Sequence, residues 1–175
     1  TERRANAADT GNEQNPAVAM DASGRFVIAY DVGGNIYSQR FDATGAIQGS
    51  AQQANSGIGA ANGAAVAMSA AGEYVVLYRV DTVVQGVWGR AYAADGTPKG
   101  SWFQVTPGDA TSASLALASD GTFVVTYEQT GGSAIDIYAR KFNADNTPNG
   151  IALSVNQYTS GSQVAASIAL TDIDH

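Results

Sequence analysis

The segment Phe26-Val27-Ile28-Ala29-Tyr30 decides the fold, because two closely similar segments follow it at regular spacing. Residues 74–78 are Tyr-Val-Val-Leu-Tyr and residues 123–127 are Phe-Val-Val-Thr-Tyr, so the copies lie 48 and 49 residues apart. Each copy begins and ends with an aromatic residue and holds mostly β-branched residues between them, a composition that favours β-strands. A repeat of this length predicts one structural unit per copy.

Other strands repeat around this segment. A short apolar strand precedes each copy, and a strand with aromatic residues follows it. The apolar strands are at residues 17–20, 65–68 and 114–117, and the aromatic ones are at residues 36–41, 87–92 and 137–142. Gly49, Gly100 and Gly150 are spaced as the aromatic strands are, 51 and 50 residues apart, and indicate a fourth strand. Pairs such as Asp120-Gly121 predict two-residue hairpins between the strands, because Gly reaches a positive φ at no steric cost.

The repeat predicts three complete four-stranded units with a partial unit at each end. The predicted bounds are 1–6 for the end of a preceding unit, 7–55, 56–106 and 107–156 for the complete units, and 157–175 for the start of a fourth. Four antiparallel strands in about 50 residues are typical of a β-propeller blade. The predicted fold is therefore all-β and propeller-like. The alternative is a closed pseudo-threefold fold of the β-trefoil type.

Composition excludes several classes of function. The chain has 9 Lys and Arg against 16 Asp and Glu, a net charge of −7, which disfavours nucleic acid as a partner. It has no cysteine, and its single histidine is His175, so cysteine nucleophiles and histidine-based triads are absent from its interior. No apolar run approaches the roughly 18 residues of a membrane span, so membrane insertion is not expected.

Loop lengths differ between the two ends of the predicted sheets. The first-to-second and third-to-fourth connections have constant lengths, whereas the second-to-third and fourth-to-first connections vary. Variable loops in repeat proteins often form the binding face, although neutral drift in surface loops is an equal alternative. The acidic residues on these loops are the candidate ligand- or partner-binding residues: Asp31, Asp81, Asp109, Glu128 and Asp136.

Two further groups of residues are candidates for binding. The pair Trp102 and Phe103 has no aromatic counterpart in the other units, which indicates either a partner contact or a filled gap in the sheet. Asp172, Asp174 and His175 are weak metal-ligand candidates, and a terminal hairpin turn is the alternative. No cofactor is predicted, with calcium as the one candidate.

One set of equivalent residues is interpreted as structural. Gln39, Arg90 and Arg140 occupy the same position in the three units. A ring of such residues could bind a sugar or an anion, but a recurring residue more often fills a recurring contact between units. We therefore predict that these side chains join neighbouring units.

The repeat also resembles a known group of sequences. Residues 15–21, 24–30 and 35–45 are similar to the tandem repeats of large secreted bacterial proteins, which often lie beside repeats-in-toxin calcium domains. The resemblance implies a propeller-like, non-catalytic module at an extracellular or cell-surface location in bacteria.

These observations favour a non-catalytic structural or adhesive module. It would self-associate or bind a surface protein or glycan through its variable loops. The first alternative is a carbohydrate-binding lectin with three quasi-equivalent sites. The second is a glycoside hydrolase domain, which requires two carboxylates in one pocket. Nothing in the sequence marks such a pair, so the chain is predicted not to be an enzyme.

Overall fold

The computed structural model describes residues 11–131, 134–157 and 160–170, which form three four-stranded antiparallel sheets. Sheet 1 contains β1 (Gln14–Met20), β2 (Phe26–Val32), β3 (Asn35–Phe41) and β4 (Ile47–Gln53). Sheet 2 contains β5 (Ala61–Met68), β6 (Tyr74–Val80), β7 (Gly86–Tyr92) and β8 (Phe103–Pro107). Sheet 3 contains β9 (Ala110–Leu117), β10 (Phe123–Gly131), β11 (Ala134–Phe142) and β12 (Leu153–Ser154).

Strands that are adjacent in sequence pair within each sheet, and no strand pairs with a strand of another sheet among the residues described. The prediction of an all-β chain with three four-stranded antiparallel units is therefore confirmed. The β-trefoil alternative is wrong, because the described strands form separate sheets and no closed barrel. Residues 162–170 form no strand, and the exact unit boundaries stay a prediction.

The hairpins at the constant end have three-residue loops rather than the predicted two-residue loops. In the first, the Asp21 N–H donates to the Arg25 carbonyl at 2.8 Å and the Gly24 N–H donates to the Asp21 carbonyl at 3.1 Å. The same two bonds close the turns at residues 42–46, 69–73, 93–97, 118–122 and 143–147. The fourth residue of each turn has a positive φ and is Gly in all but the last, which has Asn146. This geometry is a type I turn followed by a left-handed residue.

The core lies between the sheets, because side chains alternate along the central strand β6. Tyr74 and Tyr78 are buried against sheet 1, whereas Val75 and Leu77 are buried against sheet 3. Aromatic pairs stack across neighbouring strands, as Tyr74 and Tyr92 do with ring centroids 4.7 Å apart. Sheet 2 is thus covered on both faces.

Within the described ranges, no helix is long and apolar enough to cross a membrane.

Two of the equivalent polar residues join neighbouring sheets. Arg90 donates from Nη1 to the Gln53 carbonyl at 3.4 Å, and Arg140 donates from Nη1 to the Val105 carbonyl at 2.7 Å. Gln39 instead donates to the Gly49 carbonyl of its own sheet at 3.2 Å. The structural interpretation of Arg90 and Arg140 therefore agrees with their contacts.

Candidate functional site

A polar cavity opens between sheets 1 and 2, at the end that carries the variable loops. Its volume is about 360 Å³, within the size range of small-ligand sites. It is lined by residues around the start of β1, at the end of β2, in the β2–β3 turn, around the start of β5 and directly after β6, including Asn12, Asp31, Gly33, Gly34, Asn62 and Asp81. We call this cavity the Asp31 cleft.

Asp31 is the buried carboxylate of the cleft, with 7% of its surface exposed. Its Oδ2 accepts a hydrogen bond from Asn15 Nδ2 at 2.9 Å and one from the Gly63 N–H at 3.4 Å. Its Oδ1 is buried and has no hydrogen-bond partner among the described residues. An unpaired buried acceptor costs about 1–3 kcal/mol, so a donor supplied by a ligand would be stabilised at this oxygen.

Backbone irregularities place the groups that hold Asp31. The register of β1 shifts between Gln14 and Ala17, and that of β5 shifts between Asn62 and Ala65. Within these bulges Asn15 and Gly63 have φ angles of 48° and 67°. Such bulges redirect the groups that they carry. Here they lie where the Asn15 amide and the Gly63 N–H reach one oxygen of Asp31.

Asp81 is the second carboxylate of the cleft, and each of its oxygens has one contact. Its Oδ2 accepts a hydrogen bond from Asn62 Nδ2 at 2.6 Å, and its Oδ1 lies 2.6 Å from Arg79 Nε. Arg79 occupies the position in sheet 2 that Asp31 occupies in sheet 1. The cleft therefore combines two carboxylates with the amide of Asn62, and the Arg79 guanidinium lies beside Asp81.

Asn55 fixes the wall of the cleft. This buried side chain accepts the Ile36 N–H at 2.9 Å and donates to the carbonyls of Gly34 at 2.9 Å and Gly59 at 2.7 Å. It thereby holds the β2–β3 turn against the loop that precedes β5. An added Cβ on Gly33 would meet no atom within 4 Å, so the mouth of the cleft is open at this turn.

Glu128, the counterpart of Asp31 in sheet 3, is buried but has both oxygens paired. Its Oε2 accepts from Thr111 Oγ1 at 3.0 Å, and its Oε1 accepts the Ala165 N–H at 2.6 Å. Its contacts are those of a carboxylate that joins segments of the fold.

The two remaining loop acids lie outside the cleft. Asp109 is exposed and accepts a hydrogen bond from Gln85 Nε2 at 2.7 Å. Asp136 accepts one from Asn156 Nδ2 at 2.9 Å. The structure therefore brings together Asp31 and Asp81, and places the other predicted acids elsewhere.

The predicted aromatic pair is divided between the two faces of sheet 2. Trp102 is 38% exposed and meets Trp88 edge-on, with ring centroids 5.7 Å apart. Phe103 packs against Phe123 and Phe142 in the cluster between sheets 2 and 3. Phe103 thus contributes to the core, whereas Trp102 reaches the surface.

The weak metal-ligand candidates, Asp172, Asp174 and His175, lie outside the described residues. Within the part of the chain that is described, no group of three or more His, Cys, Asp and Glu residues could hold a metal ion.

Sequence reasoning missed the residues that support the two cleft carboxylates, namely Asn15, Asn55, Asn62, Gly63 and Arg79. A signal for two of them was present. Asn15 and Gly63 occupy equivalent positions, five residues before the end of the first strand, and both residue types tolerate a positive φ.

Comparisons with known proteins relate the fold to carbohydrate-active proteins. No family model and no curated protein matches the chain. A candidate glycoside hydrolase from Bacteroides ovatus matches 79% of this chain at 13% identity and a TM-score of 0.50. A second solved structure, described as a glycoside hydrolase, matches 86% at 13% identity and a TM-score of 0.51. The chain spans 48% and 36% of these two proteins, so the likeness concerns the fold of a part of each.

The comparisons correct three predictions. The resemblance to the tandem repeats of bacterial surface proteins is wrong as an assignment, because the structure shares its fold with proteins described as glycoside hydrolases. The same finding overturns the prediction of a non-catalytic structural or adhesive module. It also overturns the prediction that the chain is not an enzyme, since the fold is enzyme-like.

Proposed function

We propose that this chain is a glycan-active domain and that the Asp31 cleft is its saccharide site. The observation that carries the proposal is the unpaired Oδ1 of Asp31 in a polar cavity that also holds Asp81 and Asn62. The enzyme-like fold supports the same class of ligand.

The chemistry of the cleft is suited to hydroxyl groups. A sugar hydroxyl donates one hydrogen bond and accepts others, so it can donate to Asp31 Oδ1 and accept from nearby amides. A hydrogen bond to a carboxylate is stronger than one between neutral groups, with a net value of about 1.5–3 kcal/mol. Because Asn15, Gly63 and Asn55 already fix the surrounding groups, little order has to be gained when the sugar binds.

Hydrolysis of a glycosidic bond is the second candidate function. Glycoside hydrolases use two carboxyl groups on either side of the bond that breaks. Asp31 and Asp81 give the cleft two carboxyl groups. Because Asp81 is engaged by Arg79 and Asn62, we assign to Asp31 the contact with the reacting sugar.

The arrangement of the sheets fits this proposal. The first strands β1, β5 and β9 lie in succession, and each sheet packs face to face on the next. We infer from this succession that the three sheets are blades of a propeller-like structure. The predicted extracellular location and the predicted partners are not tested by the fold and stay predictions.

A titration with defined glycans tests the proposal. We expect at least one of cellohexaose, xylohexaose, mannohexaose and arabinohexaose to bind in isothermal calorimetry. Asp31→Asn should weaken that binding about tenfold or more, because the charge-assisted bond is lost. The matched control is Asp109→Asn, an exposed acid outside the cleft, which should bind as the native chain does. Failure of all four glycans to bind would contradict the proposal.

The same samples separate binding from hydrolysis. Release of reducing ends by the native chain, lost in Asp31→Asn, is the result expected of a hydrolase. If a glycan binds but no reducing ends are released, the saccharide site stands and the hydrolytic function is contradicted.

A further inference from the structure

An exposed apolar surface lies along the same junction of sheets 1 and 2 as the Asp31 cleft. Trp102 is 38% exposed, Val84 is 39% exposed and the Val83 side chain is entirely exposed. Trp88 contacts Trp102 edge-on and also packs against the core between sheets 1 and 2. We call these four residues the Trp102 platform.

The platform and the cleft share the same two loops. Trp88 donates from Nε1 to the Val84 carbonyl at 2.7 Å, in the loop that also carries Asp81. Trp102 donates from Nε1 to the Ser56 carbonyl at 3.4 Å, in the loop that also carries Ala60 of the cleft lining. The Trp88 bond therefore lies within the platform, and the Trp102 bond joins the platform to the loop that carries Ala60.

The repeat itself does not require the platform. The counterparts of Trp88 and Trp102 in sheet 3 are Tyr138 and Ala152, and Ala152 packs against the core between sheets 2 and 3. A sheet of this kind can therefore pack without a second large aromatic residue. The exposed indole occurs at the one junction that also carries the cleft with its unpaired carboxylate oxygen, among the residues described.

We propose that the Trp102 platform binds a further sugar residue of an oligosaccharide that also occupies the Asp31 cleft. This inference rests on the proposed function. A sugar ring has polar hydroxyl groups at its rim and an apolar face of C–H groups. An indole whose N–H is already bonded presents a flat apolar face, onto which the C–H face of a sugar can pack. The ligand is thus an oligosaccharide of at least two residues rather than a monosaccharide.

Intrinsic fluorescence provides a direct test, because Trp88 and Trp102 are the only tryptophans in the chain. The probes are the hexasaccharide that binds most tightly among the four named above and the monosaccharide from which it is built. We expect the hexasaccharide to change the tryptophan emission. Trp102→Ala should weaken hexasaccharide binding about three- to tenfold in calorimetry and leave monosaccharide binding unchanged.

Two further variants control for folding and for general loss of apolar surface. Trp102→Phe keeps an aromatic face and should retain most of the hexasaccharide affinity. Leu153→Ala removes an exposed apolar side chain in sheet 3 and should leave the affinity unchanged.

The outcomes distinguish this inference from the proposed function. If Asp31→Asn weakens both ligands while Trp102→Ala weakens neither, the cleft stands and the platform inference is overturned. Equal weakening of both ligands by Trp102→Ala overturns it as well. If Trp102→Ala lowers the solution mass without changing saccharide binding, the surface is a contact between copies instead. If no saccharide binds, the proposed function and this inference fail together.

Discussion

Asp31 and Glu128 occupy equivalent positions in sheets 1 and 3, yet only Asp31 keeps an unpaired oxygen. Each carboxylate accepts an N–H from a left-handed residue that follows its sheet in the sequence, Gly63 and Ala165 respectively. Oε2 of Glu128 accepts a hydrogen bond from Thr111. The corresponding oxygen of Asp31, Oδ1, has no partner, and Asp31 lines the cleft. One position in the repeat thus carries a structural contact in sheet 3 and a candidate ligand contact in sheet 1.

This difference predicts that two similar substitutions destabilise the fold to different extents. Glu128→Gln should lower the free energy of unfolding by about 1–3 kcal/mol, because an amide nitrogen or a neutral oxygen would replace a paired carboxylate oxygen. Asp31→Asn should lower it less, since Oδ1 makes no bond to lose. Urea unfolding followed by circular dichroism measures both. A larger loss in Asp31→Asn would contradict the assignment of the two roles.

The contact between Arg140 and Val105 should stabilise the junction of sheets 2 and 3. Arg140→Met keeps most of the apolar stem but loses the donor to a carbonyl 2.7 Å away. We expect a loss of about 1–2 kcal/mol in unfolding free energy. Lys141→Met, at the neighbouring exposed position of β11, is the matched control and should change stability by less than about 0.5 kcal/mol. Equal effects would show that the donor does not matter.

Asp21 should make the fold sensitive to acid. Burial opposes ionisation, but hydrogen bonds from Ser23 and Arg25 outweigh it and hold the pKa of Asp21 below its ordinary value of 3.8. The unfolded chain therefore takes up this proton first. The contribution of Asp21 is present above about pH 4 and is lost as the pH falls through the lower native pKa.

Unfolding in urea at pH 7, 4 and 3 checks this effect. Asp21→Asn should be less stable than the native chain at pH 7 and should lose less stability on acidification. Asp145→Asn removes an exposed turn carboxylate and should flatten the pH dependence less. A native chain and an Asp21→Asn variant with the same acid slope would contradict the expectation.

Gly86, the first residue of β7, should tolerate substitution poorly. Its φ is 140°, and an added Cβ would overlap the main-chain carbonyl oxygen of Thr106 in β8. Because backbone atoms of a paired strand cannot move aside, Gly86→Ala should cost about 3 kcal/mol or more.

Gly100→Ala provides the comparison for Gly86→Ala. Gly100 also has a positive φ, but no atom lies within 4 Å of an added Cβ. Its replacement should cost about 1 kcal/mol, from backbone strain alone. Thermal unfolding of the two variants separates steric overlap from strain, and equal costs would refute the predicted overlap.

Much of the fold could be predicted because the same strand pattern occurs three times in the sequence. The segments at residues 26–30, 74–78 and 123–127 lie in β2, β6 and β10, each paired with strands on both sides. The lengths of the hairpin loops could not be predicted from the sequence. Asp-Gly and similar pairs occur in two-residue and three-residue hairpins alike, and only the hydrogen bonds distinguish them.

The site could be predicted only in part. Asp31 and Asp81 were among the candidate acids, but they share a cavity because sheets 1 and 2 pack against each other, and sequence does not show how the sheets pack. Which oxygen of Asp31 stays unpaired depends on Asn15 and Gly63, whose backbone conformations are set by bulges. The mistaken family resemblance has a similar cause. Aromatic-ended strands and Gly-containing turns report a packed four-stranded sheet, and many unrelated proteins contain such sheets.

The most direct test of the saccharide site is a map of where the ligand binds. Titration of isotope-labelled chain with the tightest-binding hexasaccharide, followed by NMR, would report the Asn62 side-chain amide and the main-chain amides of Gly33 and Gly34. These groups line the Asp31 cleft, so their resonances should shift with the same saturation curve that calorimetry gives. Shifts confined to the amides of sheet 3, with Asn62, Gly33 and Gly34 unchanged at saturation, would contradict the placement of the site.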